Sequence, residues 1–206
     1  MLTHNKKILS PAVLYVLSRI FLLTLVGSGL VGCSFAGHPD HQRPRGVDGF
    51  PCAGEPSLLS VQQASLASDH ELLQKARGIS GQGGLCSANV WKLKQPMRVY
   101  RVWNQKDSDS QLGSWWLLER PTGLKDQYRF EYSVCTPPKE LNHLISCEIS
   151  AGSTIVLGST QNNSCSDGPH PKTSMNQIYL SLSSSTKKHP VLQNCTDEGK
   201  WPAGRY

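Results

Sequence analysis

Hydrophobic positions change their spacing near residue 86 of the chain. Before that point, in 57–80, apolar residues are spaced as on one face of a helix, as in Leu72, Leu73 and Ala76. Polar residues that suit helix caps precede two such segments, so two short N-terminal helices are predicted. The capping residues are Ser57 for the first helix, and Ser68 or Asp69 for the second, with Gly78 as its terminator.

After residue 86 the pattern is typical of strands, because short runs of β-branched and aromatic residues alternate with turn signals. The runs are MRVYRVW (97–103), SWWLLE (114–119), YRFEYSVC (128–135), STIVLG (153–158) and NQIYLSL (176–182). A further short helix is expected within 137–147, and 183–206 is expected to be irregular. The sequence therefore predicts an α+β fold for 57–206, with a helical part (57–80) packed on a compact, twisted, antiparallel-rich sheet domain (86–206).

The first 32 residues have the composition of an export signal, with basic residues, then an apolar stretch, then small residues. The Leu-Val-Gly-Cys sequence that ends at Cys33 resembles the lipobox of bacterial lipoproteins. This resemblance implies lipidation of Cys33 and, since Ser34 follows, sorting to the outer membrane. The alternatives are cleavage after Ala36, which releases a secreted protein, and an uncleaved anchor. Residues 33–56 are rich in Gly, Pro and charge, and are expected to be a flexible tether.

Cysteine usage also indicates export. If Cys33 is lipidated, six of the seven cysteines remain, which in an oxidising compartment predicts three disulfide bonds with 15 possible pairings. These cysteines are Cys52, Cys86, Cys135, Cys147, Cys165 and Cys195. No CxxC pair occurs and the histidines are scattered, so no metal site is predicted.

The net charge of the chain, +6, favours anionic partners. The basic residues are scattered, so nucleic acid is not an expected partner.

One arginine falls within a predicted strand, in MRVYRVW. Side chains alternate along a strand, so Arg101 shares a face with Val99 and Trp103, whereas Arg98 points the other way. An inward guanidinium needs an anion or an acceptor, since an unpaired buried charge costs several kcal/mol. A ligand phosphate would serve. So would an internal carboxylate, and the candidates are Glu119, Glu131 and Glu148.

Two later segments carry candidate binding groups. Trp115 and Trp116 follow Gly113-Ser114 and would stack on a ring, although core packing explains such a pair equally well. Gln177 shares a strand face with Tyr179, and its amide would orient a ligand hydroxyl or lie on the solvent face.

The order of these features resembles the ADP-ribosyltransferase fold and, within it, NAD glycohydrolase toxins of the tuberculosis necrotizing toxin type. The resemblance covers residues 95–182. It implies that Arg101 contacts the dinucleotide phosphates, that Gln177 acts at the nicotinamide ribose, and that Trp115 or Trp116 flanks the nicotinamide. By the same resemblance, Arg101 and Gln177 are the catalytic residues, and the substrate-binding set is Arg101, Ser114, Trp115, Trp116 and Tyr179.

Two functions are therefore expected. The first is an exported NAD-consuming domain, in which NAD is the substrate and no cofactor is required. Its partners would include a target or immunity protein, and the membrane through the lipid anchor. Because Tyr179, not Glu, stands two positions after Gln177, NAD cleavage is favoured over protein ADP-ribosylation. The alternative is a non-enzymatic envelope lipoprotein that acts as a binding or assembly module.

Overall fold

Antiparallel strands are the main regular secondary structure of the folded chain. The computed structural model describes residues 43–137, 140–181 and 191–202. Within these ranges the strands are β1 (Ala64–Leu66), β2 (Leu85–Leu93), β3 (Met97–Trp103), β4 (Trp115–Trp116), β5 (His143–Ile149), β6 (Thr154–Thr160), β7 (Asn163–Cys165), β8 (Gly168–His170), β9 (Thr173–Tyr179) and β10 (Leu192–Lys200). The helices are α1 (His70–Arg77) and α2 (Lys125–Glu131), and a 3-10 turn spans Ser108–Ser110.

The strands form two main sheets. The larger has the order β1-β2-β6-β9-β4 and the smaller the order β10-β5-β3, while β7 and β8 make a separate hairpin. All pairings are antiparallel. An isolated bridge between Tyr100 and Leu117 joins the edge of the smaller sheet to the chain just after β4. The predicted α+β class is confirmed.

The main hydrophobic core lies between the two sheets. Trp91, Ile155 and Ile178 of the larger sheet pack in one cluster with Val99 and Ile145 of the smaller sheet. Each of these side chains is buried, as the alternation of apolar residues along their strands requires. The core thus fixes the relative position of β3 and β9, which carry the two predicted catalytic residues.

Helix α1 packs on the larger sheet. Its buried residues Leu72 and Ala76 join a cluster with Val90 and Val156. The carboxylate of Asp69 accepts a hydrogen bond from the Leu72 N–H at 2.9 Å and caps the helix. The predicted second helix, with Gly78 after its last turn, is therefore confirmed.

Helix α2 packs on the smaller sheet through Tyr128, which is buried with Val102 and Leu144. The ring of Tyr128 also meets the ring of Trp201, with centroids 5.1 Å apart. This contact ties the C-terminal part of the described chain to α2.

Three disulfide bonds close the fold, as the cysteine count predicts. The pairs are Cys52–Cys86, Cys135–Cys165 and Cys147–Cys195.

The segment 43–56, which its composition assigned to a flexible tether, is fastened to the sheets. Cys52 is bonded to Cys86 at the start of β2. The Lys172 ammonium lies 2.6 Å from a carboxylate oxygen of Asp48, and both side chains are mostly buried. The folded part of the chain thus includes residues that lie before the predicted domain boundary at 57.

Four local predictions were wrong. No helix forms in 57–63, which leads instead into β1. The run 128–135, expected as a strand, contains the end of α2, while β5 replaces the short helix expected in 137–147. The tail expected to be irregular forms β10 along the edge of β5.

The predicted signal (1–32), Cys33 and the alternative cleavage point at Ala36 lie outside the described residues. Within the described ranges, no helix has the length and apolar character needed to cross a membrane.

Candidate functional site

A cavity of about 260 Å³ lies where the two sheets meet. Three strands contribute to it, with Arg101 and Val102 from β3, Trp115 and Trp116 from β4, and Gln177 from β9. Two further segments contribute several lining residues. We call residues 132–136, which follow α2, the wall segment, and residues 81–84, which precede β2, the rim loop.

Arg101 enters this cavity with only part of its hydrogen-bonding capacity used. Its Nε donates to the Ser110 carbonyl at 2.9 Å, and its Nη1 donates to the Trp115 carbonyl at 2.7 Å. Its Nη2 makes no hydrogen bond with any residue that the structure describes. Gly113 lies against the guanidinium so closely that a Cβ there would overlap it. The side chain is therefore held in place while one nitrogen is left for a ligand.

The charge of Arg101 has no carboxylate partner within 4 Å among the described residues. Of the candidate carboxylates, Glu148 pairs instead with Arg98 at 3.0 Å. No other lining residue in the described ranges carries a formal charge, so the cavity is electropositive. Burial lowers the pKa of Arg101, although an arginine remains protonated in proteins. This arrangement suits an anionic ligand group.

Gln177 presents a free acceptor to the same cavity. Its Nε2 donates to the backbone carbonyl of Tyr132 at 2.6 Å. A carbonyl can only accept, so this bond fixes the orientation of the amide. The Oε1 of Gln177 accepts no hydrogen bond from the described residues. Gln177 therefore fastens the wall segment with one end of its amide and can receive a ligand hydroxyl with the other.

The wall segment is held from three further directions. Asn163 Nδ2 donates to the Ser133 carbonyl at 2.9 Å, and the Ser133 hydroxyl donates to the Pro171 carbonyl at 3.1 Å. Cys135 is bonded to Cys165. Ser133 has a positive φ of 51°, a strained conformation for a residue with a side chain, and these contacts hold it.

The two tryptophans differ in environment. Trp116 is fully buried in the core, and its indole N–H donates to the Gly113 carbonyl at 2.8 Å. Trp115 is partly exposed, and its ring packs on Tyr179 with centroids 4.9 Å apart. Core packing thus accounts for Trp116, and Trp115 is the better candidate to meet a ligand.

Ser114 and Tyr179, the other two predicted binding residues, do not line the cavity. The Ser114 carbonyl accepts a hydrogen bond from the Leu180 N–H at 2.8 Å, which is a structural contact. Tyr179 supports Trp115 from the neighbouring strand.

Tyrosines and amides that sequence reasoning missed also line the cavity: Tyr128, Tyr132, Asn163 and Gln82. Burial raises the pKa of Tyr128 and of Tyr132 to about 12, so both hydroxyls remain protonated at neutral pH. The glycine-rich sequence ISGQGG (79–84) was the one sequence feature that indicated the rim loop, and it predicts a turn without predicting a binding role.

One group of possible metal ligands occurs in the described chain, at Cys165, Asp167 and His170. The Cys165 sulfur is in a disulfide bond, and an Asp167 oxygen lies 2.7 Å from Nη2 of Arg129. The group therefore offers no free thiolate, and its carboxylate already serves an ion pair.

Comparisons with protein-family models, with curated protein sequences and with solved structures found no match.

Proposed function

We propose that this protein is an exported NAD-consuming enzyme that cleaves the bond between nicotinamide and ribose. One observation carries the proposal: Arg101, Trp115 and Gln177 line a single cavity, and Arg101 has no carboxylate partner among the described residues. The sequence resemblance implies that Arg101 contacts the phosphates, that Trp115 or Trp116 flanks the nicotinamide ring, and that Gln177 acts at the ribose. Their convergence supports that assignment.

The reaction needs little from the protein beyond binding. The bond between the nicotinamide nitrogen and the ribose C1′ breaks, and its electron pair neutralises the ring nitrogen. Water then adds to the oxocarbenium-like C1′ and loses a proton to solvent, so NAD and water become nicotinamide, ADP-ribose and H⁺. Arg101 binds the pyrophosphate, and the Oε1 of Gln177 accepts a hydrogen bond from a ribose hydroxyl as positive charge develops.

The lining of the cavity favours water over a protein side chain as the acceptor. No Asp or Glu of the described chain lines it, so the cavity offers no carboxylate base to activate a protein nucleophile. Its volume of about 260 Å³ is below the roughly 300–1,000 Å³ of pockets that enclose drug-sized ligands. It therefore fits the nicotinamide ribose end of NAD with the pyrophosphate at Arg101, and the adenosine half extends beyond it.

Three disulfide bonds are typical of an oxidising, extracellular compartment. The proposed anchor is a lipid on Cys33, with secretion after cleavage near Ala36 as the alternative. A cellular target or an immunity protein is the proposed macromolecular partner.

Incubation of the purified, oxidised protein with NAD tests the proposal. Chromatography should show nicotinamide and free ADP-ribose in equal amounts, and Gln177→Leu should reduce their formation. ADP-ribose attached to protein in a cell extract would instead identify a transferase. No nicotinamide release, with or without extract, would refute the enzyme and leave the non-enzymatic envelope module.

A further inference from the structure

The rim loop carries an exposed amide that has no role in the fold. Gln82 lines the cavity and its side chain is exposed. That side chain makes no hydrogen bond with the residues that the structure describes. An amide that lines a cavity and is free to donate and accept is suited to ligand recognition.

The backbone beneath Gln82 is firmly held, so its side chain starts from a fixed point. Gln82 forms an isolated bridge with Asn163, and the Gly83 N–H donates to the Asn162 carbonyl at 3.0 Å. The Ser164 N–H donates to the Gly81 carbonyl at 2.8 Å. A loop already ordered before binding loses little entropy when a ligand arrives.

The end of α1 holds the other side of the rim loop. Gly84 has a φ of +95°, and a Cβ there would lie 2.8 Å from the Arg77 carbonyl oxygen and 2.9 Å from that of Ala76. Only glycine fits this close approach in this conformation. The loop is thus wedged between α1 and β7 with Gln82 at its turn.

The identity of the ligand part near Gln82 rests on the proposed function. A cavity of about 260 Å³ cannot enclose a whole dinucleotide. If Arg101 binds the pyrophosphate and Gln177 binds the nicotinamide ribose, the adenosine half of NAD must extend out of the cavity. It then passes the residues that line the cavity. Gln82 is the exposed lining residue with unused donors and acceptors on both ends of its side-chain amide.

We propose that Gln82 binds the adenine edge and sets the preference of the enzyme for adenine dinucleotides. The Gln82 Oε1 accepts a hydrogen bond from the adenine 6-amino group, and its Nε2 donates to N7. This is the paired geometry in which glutamine recognises adenine in nucleic acids. Hypoxanthine, which carries an oxygen at position 6, places an acceptor against Oε1 and loses half of the pair.

The test compares Gln82→Ala with Gln74→Ala, a matched control because Gln74 is an exposed glutamine on α1 outside the cavity lining. Three substrates are used: NAD, its hypoxanthine analogue, and nicotinamide mononucleotide, which lacks the adenylate half. Gln82→Ala should raise the KM for NAD about tenfold with kcat unchanged, since one bidentate base contact is worth about that ratio.

Two further results are expected from the same experiment. Wild type should prefer NAD over the hypoxanthine analogue by about tenfold, and Gln82→Ala should lose this preference. The mononucleotide should be cleaved equally by all three proteins. An unchanged KM for NAD, or an equal rise in KM for NAD and the mononucleotide, would overturn the assignment of Gln82 to adenine.

A binding measurement separates failure of this inference from failure of the proposed function. Calorimetry with AMP and IMP requires no catalysis. If wild type cleaves nothing but binds AMP better than IMP, and Gln82→Ala abolishes the difference, the adenine contact stands and the enzyme proposal falls. If NAD is cleaved but neither KM nor the AMP preference depends on Gln82, the adenine contact alone is refuted.

Discussion

Replacement of Arg101 by lysine tests the central contact of the proposed site. The guanidinium donates to the carbonyls of Ser110 and Trp115 and keeps Nη2 free. Lysine retains the positive charge but offers a single ammonium group, so it cannot hold both carbonyls and a phosphate in the same geometry. Arg101→Lys should therefore keep the fold and lose most of the affinity for ADP-ribose.

The hydrogen bonds of Arg101 set the expected loss of ADP-ribose affinity in Arg101→Lys and the expected loss of stability in Arg101→Ala. A hydrogen bond to a charged group contributes about 1.5–3 kcal/mol, so loss of one phosphate contact should weaken ADP-ribose binding about 10- to 150-fold. Arg101→Ala would also leave two carbonyls without donors, at about 1–3 kcal/mol each. That cost approaches the whole stability of a marginal domain, about 5 kcal/mol at the low end, so lysine is the more informative replacement.

Calorimetric titration with ADP-ribose measures the affinity, and thermal melting followed by circular dichroism checks the fold. Arg98→Ala is the matched control. Arg98 lies on the opposite face of β3, where it pairs at the surface with Glu148, and its loss should leave the affinity unchanged. The reasoning is refuted if Arg101→Lys binds ADP-ribose like wild type, or if Arg98→Ala loses as much affinity.

Three further changes test the support of the site. Gly113→Ala should displace the Arg101 guanidinium and weaken ADP-ribose binding about tenfold or more by calorimetry; unchanged affinity would contradict this contact. Cys135→Ser removes a link across 30 residues and should lower the free energy of unfolding by about 3–4 kcal/mol in guanidinium chloride, and an unaltered midpoint would argue against it. The Arg129 hydrogen bond lowers the pKa of Asp167, so Asp167 stabilises the fold above pH 3.8 and loses that effect as pH falls through its folded-state pKa. Asp167→Asn should therefore reduce the melting temperature at pH 7, by an amount that shrinks as the pH falls below 3.8, and a pH-independent difference would exclude this pair.

The sequence predicted those features that depend on neighbouring residues. Alternation along β3 placed Arg101 on the face of Val99 and Trp103, both of which are buried. The cap at Asp69 and the glycine at Gly78 located α1. Each of these signals lies within a few residues of the element that it defines.

The missed elements depend on distant contacts. Helix α2 has no side-chain cap at Leu124 and is rich in aromatic residues, which favour strands, yet Tyr128 is fixed by Trp201. Strand β10 is mostly exposed and polar, and it forms because it pairs with β5 and is bonded through Cys195. Tertiary contacts override local preference in both cases.

The candidate site was predictable only in part for the same reason. Arg101 and Gln177 were identified from strand patterns. Their wall segment and rim loop were not, because both are held through Asn163 and its neighbours, which lie 30 or more residues away in the sequence. The family resemblance pointed to Arg101 and Gln177, and only the fold showed which segments support them.

The disulfide bond between Cys135 and Cys165 would, under the proposed function, make activity depend on the compartment in which the bond forms. In a reducing cytoplasm the wall segment would lack this bond. Hydrogen bonds alone would then hold it, from Gln177, from Asn163 and to the Pro171 carbonyl. Under the proposed function, the chain is then least able to consume NAD where the producing cell keeps its own supply. Under the proposed export, the bond would form only outside the producing cell and would protect that cell until the protein has left it.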